Sequence, residues 1–337
     1  MKTITDLFSG KALCALLLWF IAPQVIAMTP SSTIKNMISH SQALSQAPVL
    51  PRAQILRSSR LSQVTLSPNG ELLVYATRIG DRERRLTQYW LYDIAKQSHK
   101  KLFISREIED ISWSASSQVL FMKMNNGIAA SYLKSDTAPV QLVSLDPQKR
   151  ERWLGIDYFD TNSFYFRAWN VVDERFEITR MNAEGKATII YQTTEDYDDF
   201  QIDANSGNAI LASKLNTEPG NQGETLIFDL RQQHPREIWR CQWDETCSAL
   251  AYQPKAGTLM LASNQFNDLT QLISVDLATN QHKVLHQDPL NIADVSHIAL
   301  ARGKKQEWKP ALINYHGDQH NVYAVSHSLT PHLTAIK

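Results

Sequence analysis

The sequence predicts an all-β protein folded as a β-propeller with six blades, with seven blades as the alternative. The first observation is a turn that recurs loosely along the chain. It begins as SPNG at residues 67–70, and its later versions start 43–50 residues apart; they are SASS, DTNS, DANSGN, QPKAG and ARGKK. The second is an apolar run after each turn; these runs are ELLVYA, QVLFMKM, FYFRA, AILAS, TLMLAS and PALINY. Short strands repeating at such a period are typical of a propeller.

The strand after SPNG supplies the third observation. Pro68 and Gly70 favour a tight turn, which predicts a hairpin. Beyond it, Leu72 and Val74 alternate with Leu73 and Tyr75, so both faces of the strand are apolar. Such a strand must be covered on both sides. Radial stacking of blades does this, and SPNG is interpreted as the boundary between two blades. An antiparallel sandwich or a β-solenoid is the alternative, but a sandwich requires no period.

Each unit then continues with further strands. The first set is WLYDIAK, QLVSLDPQ, FEITRMNAEG, TLIFDLRQ, LISVDLATN and NVYAVSHS. Five units add a fourth strand, in the segments KKLF, ERWLG, ATIIY, REIWR and HKVLH. The sixth unit lacks one, and residues 49–60 are expected to pair with it and close the ring.

The amino terminus has the pattern of a secretory signal peptide at residues 1–27. Lys2 and Lys11 precede the apolar run ALCALLLWFIA, and VIA at 25–27 forms a small-residue cleavage site, so the mature chain is expected to begin at Met28. An uncleaved membrane anchor is the alternative, but eleven residues are short for a bilayer. Residues 28–47 are expected to form a tail or short helix, and residues 48–337 the propeller domain.

Composition narrows the function classes. The chain has 337 residues and 34 basic against 34 acidic side chains, a formal net charge of zero. Such a chain lacks the positive field that gathers nucleic acid or an anionic membrane surface, so neither is an expected partner. Together with the signal peptide, the composition predicts a periplasmic or secreted protein without a membrane span after processing.

Two cysteines remain in the mature chain, Cys241 and Cys247 in CQWDETC. An even pair this close in an exported chain favours a local disulfide bond. Two free thiols are the alternative. A metal site is disfavoured because five intervening residues do not match the spacing of metal-binding cysteines.

The segment LSPNGELLVYATR resembles the blade opening shared by TolB-like propellers and by the N-terminal propellers of prolyl oligopeptidase-family serine peptidases. PVLPRAQILRSSRLSQVTLSPNG is similar to the beginning of their first blade, and KPALINYHGDQHNVYAVSHSLTPHLTAI to their last blade and exit segment. The resemblance covers residues 48–337. It implies a propeller whose channel admits peptides to an α/β-hydrolase domain, and the sequence ends at Lys337, where that domain would begin.

The chemistry of that hydrolase is not found in this sequence. A serine hydrolase of this class needs a Gly-x-Ser-x-Gly turn, and none of the twelve glycines frames a serine in that way. No catalytic residue, cofactor or metal is therefore predicted. The expected function is binding or gating of peptide-like ligands, with a peptide, a protein or a separate hydrolase domain as partner. The alternatives are a TolB-like interaction scaffold and a metal-dependent hydrolase acting through the channel.

Two polar clusters are candidate sites. His316, Asp318 and His320 in YHGDQH are interpreted as a hairpin turn, with a metal site or an oxyanion element as alternatives. The acidic run EDYDD at 195–199 is interpreted as a solvated loop between blades, with a calcium site as the alternative. Most tryptophans fall at strand positions and are expected to pack between blades rather than to form a carbohydrate platform.

Overall fold

The structure is a computed structural model of the chain, and it describes residues 61–79, 86–133, 138–302, 308–317 and 320–336. The described residues form six antiparallel sheets that follow one another along the sequence, which confirms the predicted six-bladed propeller. The predicted signal peptide, the tail at 28–47 and the closing segment at 49–60 lie outside the described residues. No helix among the residues described has the length and hydrophobicity that a membrane crossing requires.

The strands of the first three blades are as follows. Blade 1 contains β1 (Leu61–Leu66), β2 (Leu72–Ile79), β3 (Leu86–Asp93) and β4 (Ser98–Ser105). Blade 2 contains β5 (Ile108–Trp113), β6 (Val119–Met124), β7 (Gly127–Tyr132) and β8 (Val140–Ser144). Blade 3 contains β9 (Arg152–Ile156), β10 (Ser163–Asn170), β11 (Arg175–Asn182) and β12 (Ala187–Thr193).

The remaining strands continue the same order. Blade 4 contains β13 (Asp199–Ile202), β14 (Ala209–Leu215), β15 (Thr225–Asp229) and β16 (Arg236–Cys241). Blade 5 contains β17 (Cys247–Gln253), β18 (Thr258–Ser263), β19 (Gln271–Asp276) and β20 (Gln281–His286). Blade 6 contains β21 (Val295–Arg302), β22 (Trp308–His316) and β23 (His320–Ala324), and the helix α1 (Thr330–Ile336) follows.

The core is divided among the interfaces between successive blades. Between blades 2 and 3, Phe164 is fully buried, 4.9 Å from the ring of Phe121 and 5.2 Å from that of Trp153. Trp113 is likewise buried in the cluster between blades 1 and 2, so the expected packing of tryptophans between blades is confirmed at these two positions. Trp243 is an exception, because 72% of it is exposed. Stacking therefore covers both faces of a blade that has a neighbouring blade on each side, as strands with two apolar faces require.

The recurring turn lies inside a blade and not between two blades, so that part of the prediction is wrong. SPNG joins β1 to β2 of the same sheet. The turns nevertheless connect blades, because the turn of one blade is hydrogen-bonded to the next. Asn69 N donates to Ser117 Oγ at 3.1 Å, and Ser116 N donates to Thr161 O at 3.0 Å. We call the end of the propeller that carries these turns the turn rim.

One strand was also assigned to the wrong blade. ERWLG, predicted as the fourth strand of the second unit, is β9, the first strand of blade 3, and pairs with β10. The prediction omitted β7, which pairs with β6 through a two-residue connection between Met124 and Gly127. β7 is almost entirely buried and apolar, so it lacks the polar stop that marks the other third strands. QLVSL is consequently the outer strand β8.

The structure joins Cys241 and Cys247 in a disulfide bond, with their Cα atoms 6.2 Å apart. It links the last strand of blade 4 to the first strand of blade 5. We expect alkylation without prior reduction to label neither cysteine, and labelling of both would contradict the bond. Replacing both by serine should cost about 2–3 kcal/mol, because the closed loop is short, and the propeller should stay folded. Mass spectrometry and urea unfolding measure the two effects.

Candidate functional site

The first strands of blades 3 to 6 converge on a cavity of about 390 Å³. It is lined by residues of β9, β13, β17 and β21, so it lies on the inner side of the propeller. The apolar part of the lining includes Leu154, Ile156, Ile202, Leu211, Leu250 and Leu300. Asp199, Gln201, Ser213 and Tyr165 supply polar groups to the same walls. An apolar pocket of this size with a few convergent polar groups is the usual form of a ligand site.

An aromatic pair narrows the cavity on the turn-rim side. Tyr158, between β9 and β10, meets the ring of Trp308, at the start of β22, edge to face with 5.0 Å between the ring centres. Blade 3 and blade 6 therefore make contact here, although two blades separate them along the chain. Gln253 Nε2 donates to the carbonyl oxygen of Trp308 at 3.4 Å, which connects Trp308 to blade 5 as well. The two rings form an apolar floor for a ligand.

The opposite end of the cavity is charged. Asp199, the first residue of β13, lines the cavity and is open to water, yet protein atoms surround its carboxylate. This desolvation raises the pKa of Asp199 above its ordinary value of 3.8, although Phe200 N donates to it and the positive charge of Arg152 opposes the shift. Asp199 of blade 4 and Arg152 of blade 3 thus interact electrostatically.

A buried arginine, Arg167, stabilises the interface between blades 3 and 4. The side chain of Arg167 is only 3% exposed, and it donates to the carbonyl oxygens of Arg150 and Tyr197. Its Nη1 lies 3.1 Å from Asp196 Oδ1, and Arg150 also contacts that carboxylate. Burial and, to a smaller extent, the nearby positive charge of Arg152 together lower the pKa of Arg167 to about 10. These contacts hold blade 3 against the start of blade 4.

A second buried ion pair supports the wall near Tyr165. Arg180 Nε lies 2.8 Å from Asp157 Oδ2, and the Asp157 side chain is 1% exposed. Arg180 Nη2 donates at 2.9 Å to the carbonyl oxygen of Gly207, which belongs to the turn of blade 4. Burial, with the adjacent Asp157 carboxylate, raises the pKa of Tyr165, so this phenol stays protonated at neutral pH.

The residues singled out from the sequence lie elsewhere. Cys241 and Cys247 form the disulfide bond between blades 4 and 5. His316 is exposed at the end of β22 and pairs with His320 across the β22–β23 hairpin, while Asp318 and the side chain of His320 lie outside the described residues. The interpretation of this cluster stays a prediction. In the part of the chain that is described, no three His, Cys, Asp or Glu side chains are placed to hold a metal ion.

The acidic run that was interpreted as a solvated loop contributes directly to the site. Tyr197 in this run is 1% exposed, and Asp199 begins the inner strand of blade 4. Glu195 pairs with Lys214 at 2.5 Å, and Asp198 accepts a hydrogen bond from Leu215 N at 2.9 Å. The run forms the loop between blades 3 and 4, and Glu195, Asp198 and Asp199 are exposed, so the interpretation as a solvated loop is confirmed for most of the segment. Tyr197 is the exception, because it is buried, and an aromatic residue inside an acidic run was the one local signal of this.

A larger groove of about 480 Å³ lies away from the cavity, at the outer edge of blades 4 and 5. Glu237, Trp239, Arg240 and Phe266 are among the residues that line it. Phe266 is 42% exposed and stacks on His282 with 3.7 Å between ring centres. The groove faces solvent on an outer strand, whereas residues of four blades line the inner cavity. The inner cavity is therefore the candidate functional site.

Comparison with known proteins identifies the fold. No protein-family model and no curated protein sequence matches the chain. Among solved structures, an acylaminoacyl peptidase from Pyrococcus horikoshii matches 80% of this chain and 45% of its own, at 12% identity and a TM-score of 0.55. Prolyl oligopeptidase B from Galerina marginata matches 86% of this chain and 46% of its own, at 12% identity and a TM-score of 0.51. The chain has the propeller fold of these peptidases.

A third similar structure is the β-propeller domain of the Trilobed protease from Pyrococcus furiosus. It matches 79% of this chain and 84% of its own, at 10% identity and a TM-score of 0.49. The chain spans about half of the length of the two peptidases and most of the length of the isolated propeller domain. At identities this low, the similarity shows the fold alone.

Proposed function

We propose that the protein is an exported, non-catalytic β-propeller that binds peptide-like ligands in the inner cavity and gates their passage. The observation that carries the proposal is the cavity lining, in which apolar walls and an aromatic floor lie beside a small set of hydrogen-bonding groups. A peptide offers the matching chemistry, because its side chains fill apolar space and its backbone both donates and accepts hydrogen bonds. Export is supported by the disulfide bond and by the predicted signal peptide at residues 1–27.

The proposed partner, beyond the peptide itself, is an α/β-hydrolase domain on a separate chain. The fold shared with two peptidases supports this partner. In that arrangement the propeller selects ligands and the partner cleaves them. Purified alone, the protein should therefore bind peptides and return them uncleaved.

We expect Trp308→Ala to weaken peptide binding on the order of tenfold, because it removes an aromatic side chain from the cavity wall. Fluorescence anisotropy of a labelled peptide panel measures affinity, and chromatography of the recovered peptides reports cleavage. Trp243→Ala is the matched control, since Trp243 is 72% exposed and does not line the cavity. Equal losses in the two variants, or no binding by the unaltered protein, would contradict binding in the cavity.

A protein-interaction scaffold is the second candidate function. The observation that favours it is the exposure of two aromatic side chains, Phe266 in the outer groove of blades 4 and 5 and Trp243 in the connection between these blades. Exposed aromatics on a surface are typical of protein–protein contacts. For a scaffold, Trp243→Ala would reduce capture of a protein partner and leave peptide binding unchanged.

A further inference from the structure

Arg152, the first residue of β9, has an unused hydrogen-bonding edge. Its Nε and Nη2 atoms are buried, and neither has a hydrogen-bond partner in the described part of the chain. These two nitrogens form one side of the planar guanidinium group and point their hydrogens in the same direction. The residue as a whole is half-buried, so the rest of its side chain reaches solvent. Leaving charged donors unpaired in a protein wall is costly.

Two other arginines show what this edge does when it is occupied. Arg231 places Nε 3.0 Å from Oδ1 and Nη2 2.6 Å from Oδ2 of Asp229. Arg240 places Nε and Nη2 each 2.9 Å from the two carboxylate oxygens of Glu237. Both use the same edge to bind a carboxylate through two parallel hydrogen bonds, the geometry that guanidinium groups favour. The same two donors of Arg152, Nε and Nη2, could bind the two oxygens of one carboxylate.

The acidic residues around Arg152 are engaged with other groups. Asp196 is shared by Arg150 and Arg167, and Asp198 accepts from Leu215 N at 2.9 Å. Asp199 accepts a hydrogen bond from Phe200 N at 2.9 Å. None of the three forms a hydrogen bond with Arg152 among the described residues. Asp199 interacts electrostatically with Arg152, so its carboxylate competes with a ligand carboxylate for the positive charge of Arg152.

The position of Arg152 connects this edge to the cavity. Arg152 interacts electrostatically with Asp199, and Asp199 lines the cavity. Arg152 itself is not one of the lining residues, so binding requires its long side chain to turn about its own torsions and bring the edge to the cavity. A ligand lying on the apolar walls would reach Arg152 at the end opposite to Trp308.

We propose that Arg152 binds a carboxylate of the ligand through its Nε and Nη2 atoms, and that the cavity therefore selects peptides with a carboxylate at this end. The carboxylate comes from the peptide's C-terminus or from an acidic side chain, and Asp199 opposes its binding by charge repulsion. This inference rests on the proposed function, since it names which peptides the cavity takes.

The test compares three N-acetylated, fluorescently labelled peptides that share one apolar sequence. The first has a free C-terminus, the second a C-terminal amide, and the third a C-terminal amide with one internal glutamate. With the unaltered protein, the amide is expected to bind on the order of tenfold more weakly than the free acid. Recovery of affinity by the glutamate peptide would assign the site to acidic side chains, and no recovery would assign it to the C-terminus.

Three variants of the site sharpen the test. Arg152→Gln should abolish the difference between acid and amide, and Arg152→Lys should retain part of it, because lysine keeps the charge and loses the two-pronged geometry. Asp199→Asn should tighten binding of the acid several-fold, because it removes the competing negative charge. Arg175→Gln is the control, since Arg175 pairs with Asp173 at the surface. Urea unfolding midpoints establish whether each variant is folded. If Arg152→Gln is unfolded, the binding of the acid and the amide by Arg152→Lys and Asp199→Asn tests the role of Arg152 instead.

The outcomes distinguish the role of Arg152 from peptide binding in the cavity. Equal binding of acid and amide by the unaltered protein, with Trp308→Ala still weakening both, overturns the role of Arg152 and leaves the cavity as a peptide site. Weaker binding of the acid by Asp199→Asn would also overturn it, because Asp199 would then be an attractive contact. Absence of binding for all three peptides would instead overturn the proposed function itself.

Discussion

Replacing Asp229 by asparagine is expected to lower the free energy of unfolding by about 3 kcal/mol, because the side chains of Arg231 and Tyr252 would lose a buried, charged hydrogen-bond acceptor. Asp229, at the end of β15, is completely buried. Its carboxylate accepts two hydrogen bonds from the side chain of Arg231, at 3.0 and 2.6 Å, one from Arg231 N at 3.0 Å and one from Tyr252 Oη at 2.8 Å. Tyr252 belongs to β17, so the carboxylate connects blade 4 to blade 5.

The pH dependence of this contact has a definite sign. Burial alone raises the pKa of Asp229, but the hydrogen bonds from Arg231 and Tyr252 outweigh it and hold the pKa below its ordinary value of 3.8. A carboxyl whose folded-state pKa is depressed stabilises the protein above its unfolded-state pKa and loses that contribution as the pH falls through the folded-state value. The stability gap between the unaltered protein and Asp229→Asn should therefore be largest at neutral pH and narrow below pH 3.8.

Urea unfolding at neutral and acidic pH measures both effects. Asp173→Asn is the matched control, because Asp173 pairs with Arg175 at 2.8 Å while 44% of the Asp173 side chain is exposed. An exposed pair of this kind contributes about 0–1 kcal/mol. A loss for Asp229→Asn no greater than that of Asp173→Asn, or a gap that widens on acidification, would show that the carboxylate does not stabilise the interface.

Gly207→Ala is expected to destabilise the propeller by about 3–5 kcal/mol, because it combines backbone strain with the loss of a buried ion pair. Gly207 has a φ of +68° in the turn of blade 4. An added Cβ atom would lie 1.9 Å from Arg180 Nη2 and 2.8 Å from Phe159 Cδ1. Arg180 cannot move away freely, because it is held by Asp157 and by the carbonyl oxygen of Gly207. Its displacement would leave the buried carboxylate of Asp157 without its cation.

Gly257→Ala separates the two contributions. Gly257 occupies the equivalent turn of blade 5 with a φ of +64°, and nothing lies within 4 Å of its added Cβ atom. It should show the backbone cost alone, about 1–2 kcal/mol. Thermal and urea unfolding compare the two variants. In an Arg180→Met background, Gly207→Ala should fall to the cost of Gly257→Ala, and an unchanged penalty there would argue against the role of Arg180.

The repeat could be predicted from the sequence because it depends on residues that are neighbours in the chain. Turn residues and apolar alternation fix each hairpin within about ten positions, so six sheets and most strands follow from local pattern. The exception is β7 in blade 2, an apolar strand reached through the short connection at residues 125–126. Its omission displaced ERWLG into the wrong blade. A strand's partner depends on which neighbour is close in space, and two apolar runs of similar length do not distinguish the possibilities.

The candidate site could not be read in the same way. Arg152 and Asp199 come from different blades, 47 positions apart, and each looks like an ordinary surface charge in its own segment. Asp157, directly after β9, and Arg180, in β11, likewise lie in segments whose patterns give no sign of a buried ion pair. His316, Asp318 and His320 attracted notice because they are adjacent in the sequence, and the structure places His316 at an exposed hairpin end.

The sequence by itself determined that this protein is an all-β propeller with six units and a disulfide-bonded pair of cysteines. These features depend on periods, turns and spacings that are local. Only the tertiary structure decided which strand opens each blade, that the turns lie inside blades, and that Tyr165, Asp199 and Trp308 line one cavity. The physical reason is that these contacts form between blades, where burial and charge pairing depend on the packing of distant segments that no local pattern encodes.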